Sequence, residues 1–132
     1  MGCDIHATIE AKKNKELREW ITVNQNVNIP RSYSLFYALA GVRSREEEIV
    51  IISKPRGVPF DASEGFKEEH NFWGSDGHSH SWLSFQELED YAEKYKKEDF
   101  FDISAYEFYQ EMDDYAEKYG KENVRLVFLF DN

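Results

Sequence analysis

The nine residues from Cys3 to Ala11 alternate without a break, and this alternation constrains the fold more than any other feature of the chain. Cys3, Ile5, Ala7, Ile9 and Ala11 fall on one side, and Asp4, His6, Thr8 and Glu10 on the other. A period of two is that of a β-strand, so one face of this strand joins a core while the other carries ionisable groups. Polar groups set on a rigid strand need partners if anything covers them. Asp4 and His6 are therefore the first candidates for chemistry.

Around this strand the sequence predicts an α+β fold. Lys13-Asn14-Lys15 is a turn candidate, and Trp20 to Val23 is the returning strand of a hairpin. An Asn-rich loop follows and ends at Pro30. Ser34 to Ala40 reads as a short buried helix closed by Gly41. After the charged stretch Arg43 to Glu48, the β-branched run Ile49 to Ile52 predicts a short strand, and Pro55, Gly57 and Pro59 impose a stiff loop. Asp61 and Glu64 resemble a capping box for a helix that ends before Gly74. Ser84 with Glu87, and Ser104 with Glu107, predict two more helix starts. Their apolar stripes are Phe85, Leu88, Tyr91, Ala92, Tyr95 and Phe108, Met112, Tyr115, Tyr119, and Gly120 stops the second. Val124 to Phe130 is apolar almost throughout, as in a central strand covered on both sides. The expectation is one domain over residues 1–132, with helices packed on an antiparallel sheet of three or four strands. The repeated hexapeptide DYAEKY, at 90–95 and 114–119, is read as two helices sharing a good helix-forming sequence.

Charge narrows the partners. The net charge is −10, with 9 Lys+Arg against 7 Asp+Glu in residues 1–60 and 7 against 19 in residues 61–132. Polymeric nucleic acid and anionic membrane are disfavoured, because phosphate binding requires a basic stripe. A small anionic ligand needs only a local cluster, which Arg31, Arg43, Arg45, Lys54 and Arg56 offer. The single cysteine, Cys3, permits no internal disulfide, and no apolar run nears membrane-spanning length, so a cytoplasmic setting is expected. The opening Met-Gly-Cys does not signal acylation, since His6 stands where Ser or Thr is required. Cys3 itself alternates away from Asp4 and His6 and reads as a small core residue.

The segment Gly74-Ser75-Asp76-Gly77-His78-Ser79-His80-Ser81-Trp82 concentrates two imidazoles, a carboxylate and three hydroxyls between two glycines and a helix start. In an extended segment its His-x-His would point both rings to one side, where a metal or a phosphate could use them. Asp4, His6, Asp76, His78 and His80 are the predicted catalytic cluster, and Asp131 is a further member. Two chemistries fit. Asp4, His6, His78, His80 and Asp131 could hold a divalent ion such as zinc or manganese that activates water. Alternatively, imidazoles alone could move protons between a ribose hydroxyl or water and a leaving oxygen. Arg31, Arg43 and Arg56 are the predicted phosphate-binding residues, each offering a guanidinium. No Walker loop, dinucleotide fingerprint, paired Cys-x-x-Cys or nucleophile elbow is present.

The opening MGCDIH, YSLFYALAGVR, PRGVP, DGHSHSW and the closing FLFDN together resemble a group of short uncharacterised bacteriophage-encoded proteins, over most of the chain. The resemblance singles out Asp4, His6, Arg43, Arg56, Asp76, His78, His80, Trp82 and Asp131. By analogy it implies a counter-defence protein in the cytoplasm of an infected bacterium that binds and cleaves a nucleotide immune signal, a phosphodiesterase-type hydrolase. The alternatives are a homo-oligomeric sponge that sequesters a nucleotide or ADP-ribose-type signal, and an acidic module that binds a host protein, with a structural His/Asp cluster.

Overall fold

The computed structural model describes residues 2–13, 16–43, 49–95 and 101–132. Arg45, most of the charged stretch after Arg43, and Asn14 and Lys15 of the expected turn lie outside them. The fold is α+β, with four helices and one antiparallel four-stranded sheet among the described residues. In chain order the elements are β1 (Asp4–Ala11), β2 (Ile21–Asn24), α1 (Tyr33–Ala40), α2 (Glu64–Trp73), β3 (Gly77–Ser84), α3 (Phe85–Tyr95), α4 (Glu107–Tyr119) and β4 (Val124–Asp131). Short 3-10 turns precede β3, α4 and β4.

The sheet order is β2-β1-β4-β3, so the last strand inserts between the first and third. Position decides its composition. Val127 and Leu129 face a small cluster with Ala62 and Phe66 of the α2 side, while Leu126, Phe128 and Phe130 face the larger core of α1, α3 and α4. Covered on both faces, β4 can afford no solvated side except at its ends. The alternation of β1 follows the same division, with Ile5, Ala7 and Ile9 in the larger core and Asp4, His6, Thr8 and Glu10 turned toward α2.

Helix ends follow local chemistry. Gly41 closes α1 with φ of 73°, a left-handed conformation that costs glycine little. The Ser84/Glu87 box forms reciprocally: Glu87 N–H donates to Ser84 Oγ at 3.1 Å and Ser84 N–H to Glu87 Oε1 at 3.0 Å. The other two expected boxes do not form. Ser104 lies in a 3-10 turn capped by Asp102, and α4 starts at Glu107 behind Tyr106. Asp61 is drawn away from the start of α2 by Arg125, and Ser63 takes the cap position. Ile49 to Ile52 is not a strand. Ile49 is buried, and Ile52 N–H donates to the Ala38 carbonyl at the end of α1, so the run lies against that helix instead of joining the sheet.

The largest departure is the GHSHSW of this segment, which after Asp76 is strand β3 with a bulge and not a loop. Ser79 sits at φ of 54°, and the pairing with β4 shifts between His78 and Ser81. One extra residue reverses the side-chain alternation locally. His78 stacks on Phe130 in the face of the larger core, whereas His80 meets His70 of α2 on the other face. The two rings of the His-x-His do not share a side.

Candidate functional site

Three strands converge at the end of the sheet where β1 begins and β4 finishes. Asp4 pairs with Asp131, and Asp131 with Gly77 of β3. Asp131 Oδ1 accepts the Asp4 N–H at 3.0 Å, and its Oδ2 lies 2.8 Å from His6 Nε2. An ionised carboxylate only accepts, so His6 Nε2 carries the proton and the Nδ1 lone pair remains for other work. Indole stacking from Trp73 of α2, with ring centroids 4.2 Å apart, fixes the plane of the imidazole. Both members of the dyad are partly exposed, 25% for the His6 side chain and 18% for Asp131. A carboxylate-oriented, ring-stacked, solvent-reachable imidazole is the arrangement of a general base.

Asp4 has a different partner. Arg31 grips it through Nε at 2.9 Å and Nη2 at 2.8 Å, and these charge-assisted bonds lower the Asp4 pKa and raise that of Arg31. Asp4, His6, Arg31 and Asp131 thus form one connected group, three of them called from sequence for catalysis or metal binding and Arg31 for ligand binding.

The dyad opens on a cleft between β1, the loop after β2, and α2. One part, about 280 Å³, is lined by Ile5, His6, Ala7, Gln25 to Asn28 and Glu69. An adjoining part, about 420 Å³, is lined by His6, Gln25, Glu68, Glu69, Phe72 and Trp73. Val27 N–H reaches the Ala7 carbonyl, which draws the Asn-rich loop along β1 and makes it the cleft wall.

The other expected residues are dispersed. His80 shares the α2 face with His6, but Trp73 and Leu129 crowd against Gly77 beside its Nε2. His80 pairs with His70, Nε2 to Nδ1 at 3.2 Å, and burial first, then the charges of His70 and His78, hold its pKa below the usual imidazole value. His78 sits across the sheet, its Nδ1 against Ser79 Oγ and its Nε2 buried without a partner among the described residues. Asp76 is exposed in the turn before β3. Arg43 is exposed, with its guanidinium 5.8 Å from the Tyr33 ring. Arg56 is spent on protein groups: a two-pronged ion pair with Glu87, the Trp82 carbonyl, Ser53 Oγ and the face of Trp82. That places Arg56 and Trp82 as a clasp between the Pro-Arg-Gly loop and the α3 cap. Among the described residues, no three His, Cys, Asp or Glu side chains are grouped to hold a metal ion. Cys3 is buried, and burial raises its thiol pKa.

Sequence reasoning overlooked Trp73, His70, the Gln25–Asn28 wall and the buried pair Glu10–Arg125. Arg125 Nε donates to Glu10 Oε1 at 2.6 Å and Nη2 to Asp61 Oδ1 at 3.0 Å, under the Trp20 ring. One signal was available: Arg125 is the lone cation in the apolar run of β4, and Glu10 lies on the Asp4/His6 side of the alternation. Compared with family models, curated proteins and solved structures, the chain matches none of them.

Proposed function

We propose that the protein binds a small nucleotide in this cleft and cleaves its phosphodiester, with His6 as general base and Asp131 as its orienting partner. The observation that carries the reading is the His6–Asp131 dyad, stacked on Trp73 and opening on a cleft. His6 Nδ1 takes the proton of a ribose hydroxyl or a water. The freed oxygen attacks phosphorus, the bond to the leaving ribose oxygen breaks, and that oxygen recovers a proton from solvent. Asp131 stabilises the imidazolium formed on the way. Arg31, ion-paired with Asp4 two residues along the strand from His6, is the guanidinium of this group. The resemblance to bacteriophage-encoded proteins supplies the setting, opposition to a nucleotide immune signal.

The test is a panel of cyclic dinucleotides and ADP-ribose derivatives incubated with the purified protein, with and without EDTA. New products are expected from wild type, reduced about 10²- to 10⁴-fold in His6→Ala and strongly in Asp131→Asn, with unchanged circular dichroism. Full activity in His6→Ala would sink the dyad. Ligand recovered intact after heat denaturation would make the protein a sponge. Neither binding nor cleavage would point to a protein partner.

A further inference from the structure

Phe72 is 78% exposed, and the core does not require it there. Its ring is nearly perpendicular to that of Trp73, centroids 5.2 Å apart, and lines the cleft beside it. An exposed ring beside a stacked indole is a platform for another flat ring. The polar lining is also selective. None of the residues around either part of the cleft is Lys or Arg, so nothing there draws phosphate in. Instead Gln25, Asn26, Asn28, Glu68 and Glu69 supply its polar lining. Glu69 accepts the Trp73 indole N–H at 3.2 Å and Glu68 accepts from Gln25 Nε2 at 3.1 Å, which braces both carboxylates while leaving each a second oxygen. Braced acceptors beside amides suit a ring that carries N–H donors as well as ring acceptors.

We infer that the cleft recognises the base of its ligand, stacking it on Phe72 and selecting one with an exocyclic amine, such as adenine or cytosine, through Glu68 and Glu69. This rests on the nucleotide reading above and names the end of the ligand that enters. The amine donates to a carboxylate oxygen, and a base with a carbonyl in its place, uracil or hypoxanthine, would set oxygen against oxygen. The phosphate stays at His6, where the proposed cleavage needs it, and away from the carboxylates.

Uncharged nucleosides isolate this recognition from phosphate binding and from chemistry. Titrations of intrinsic tryptophan fluorescence with adenosine, cytidine, uridine, inosine and inorganic phosphate would be run on wild type, Phe72→Ala and Glu69→Gln. Saturable quenching by adenosine or cytidine is expected, weaker by about tenfold or more for uridine and inosine. Phe72→Ala should weaken it about tenfold, and Glu69→Gln should narrow the gap between amine and carbonyl bases. Equal binding of uridine, full affinity in Phe72→Ala, or a response to phosphate alone would each overturn the inference. Cleavage that depends on His6 but ignores the base would overturn it and leave the dyad standing. Selective nucleoside binding without cleavage of any nucleotide would do the reverse.

Discussion

The strongest single-residue consequence lies away from the cleft, at Arg125. Its guanidinium and the Glu10 carboxylate, side chains 5% and 0% exposed, are charges removed from water that survive because each is paired. Ser63 N–H donates to the second Glu10 oxygen at 2.6 Å and completes the shell. Replacing one partner leaves the other charge buried alone, a loss of about 3–5 kcal/mol, whereas an apolar pair of similar volume is tolerated far better. Arg125→Met should therefore lower stability by about 3–5 kcal/mol in denaturant unfolding, and adding Glu10→Leu should recover much of it. A double variant no better than the single one would show that the charges are not coupled. This pair also anchors the start of α2 to the middle of the sheet, at the end opposite to the His6 dyad.

At the scale of elements, what positions the cleft is the seam between α2 and β3. The helix carries Glu68, Glu69, Phe72 and Trp73 to the site, and the contact His70–His80 helps hold it down. Two imidazoles 3.2 Å apart share one proton comfortably and two badly. The charges that act on His80 are those of His70, in contact from α2, and His78, across the sheet on its own strand, and both add to the burial that lowers its pKa. The sign follows: below about 6.5 the unfolded chain takes up a proton that the folded chain resists, so the unfolded state binds more protons and stability is lost as pH falls. Stability is then full above about 6.5, declines from there toward the depressed folded value, and levels off below it. Unfolding midpoints measured between pH 7.5 and 5 should show this decline, and His80→Phe should flatten it. An equal slope in the variant would assign the effect elsewhere. The bulge at Ser79 creates this seam, because without the extra residue His80 could not face α2 while His78 faces Phe130.

At the scale of the molecule, the charge asymmetry matters most. Residues 61–132 hold 19 acidic against 7 basic side chains, and they include α2, α3 and α4. Helices that share one sign of charge repel through solvent, an energy that salt screens within about 10 Å at 0.1 M. Raising salt from low ionic strength to about 1 M should raise the thermal midpoint, opposite to a protein whose exposed ion pairs dominate. A falling midpoint would mean that exposed bridges such as Lys121–Glu89 outweigh the repulsion.

Much of the fold was legible in advance. The alternation of β1, the apolar run of β4, the Ser84/Glu87 box and the glycine stops at Gly41 and Gly120 are local signals, set by periodicity and backbone freedom, and they determine the α+β class. The sharing of one face by Asp4 and His6 followed from the same period of two. Other features depended on residues far apart in sequence. Strand order put Asp131 against His6, and the path of α2 brought Trp73 to the ring. The bulge sent His78 and His80 to opposite faces, and Glu87 claimed the guanidinium of Arg56. Periodicity reports which side of its own element a residue takes; only packing decides what stands on that side, because partners there are chosen by register and by competition for buried charge.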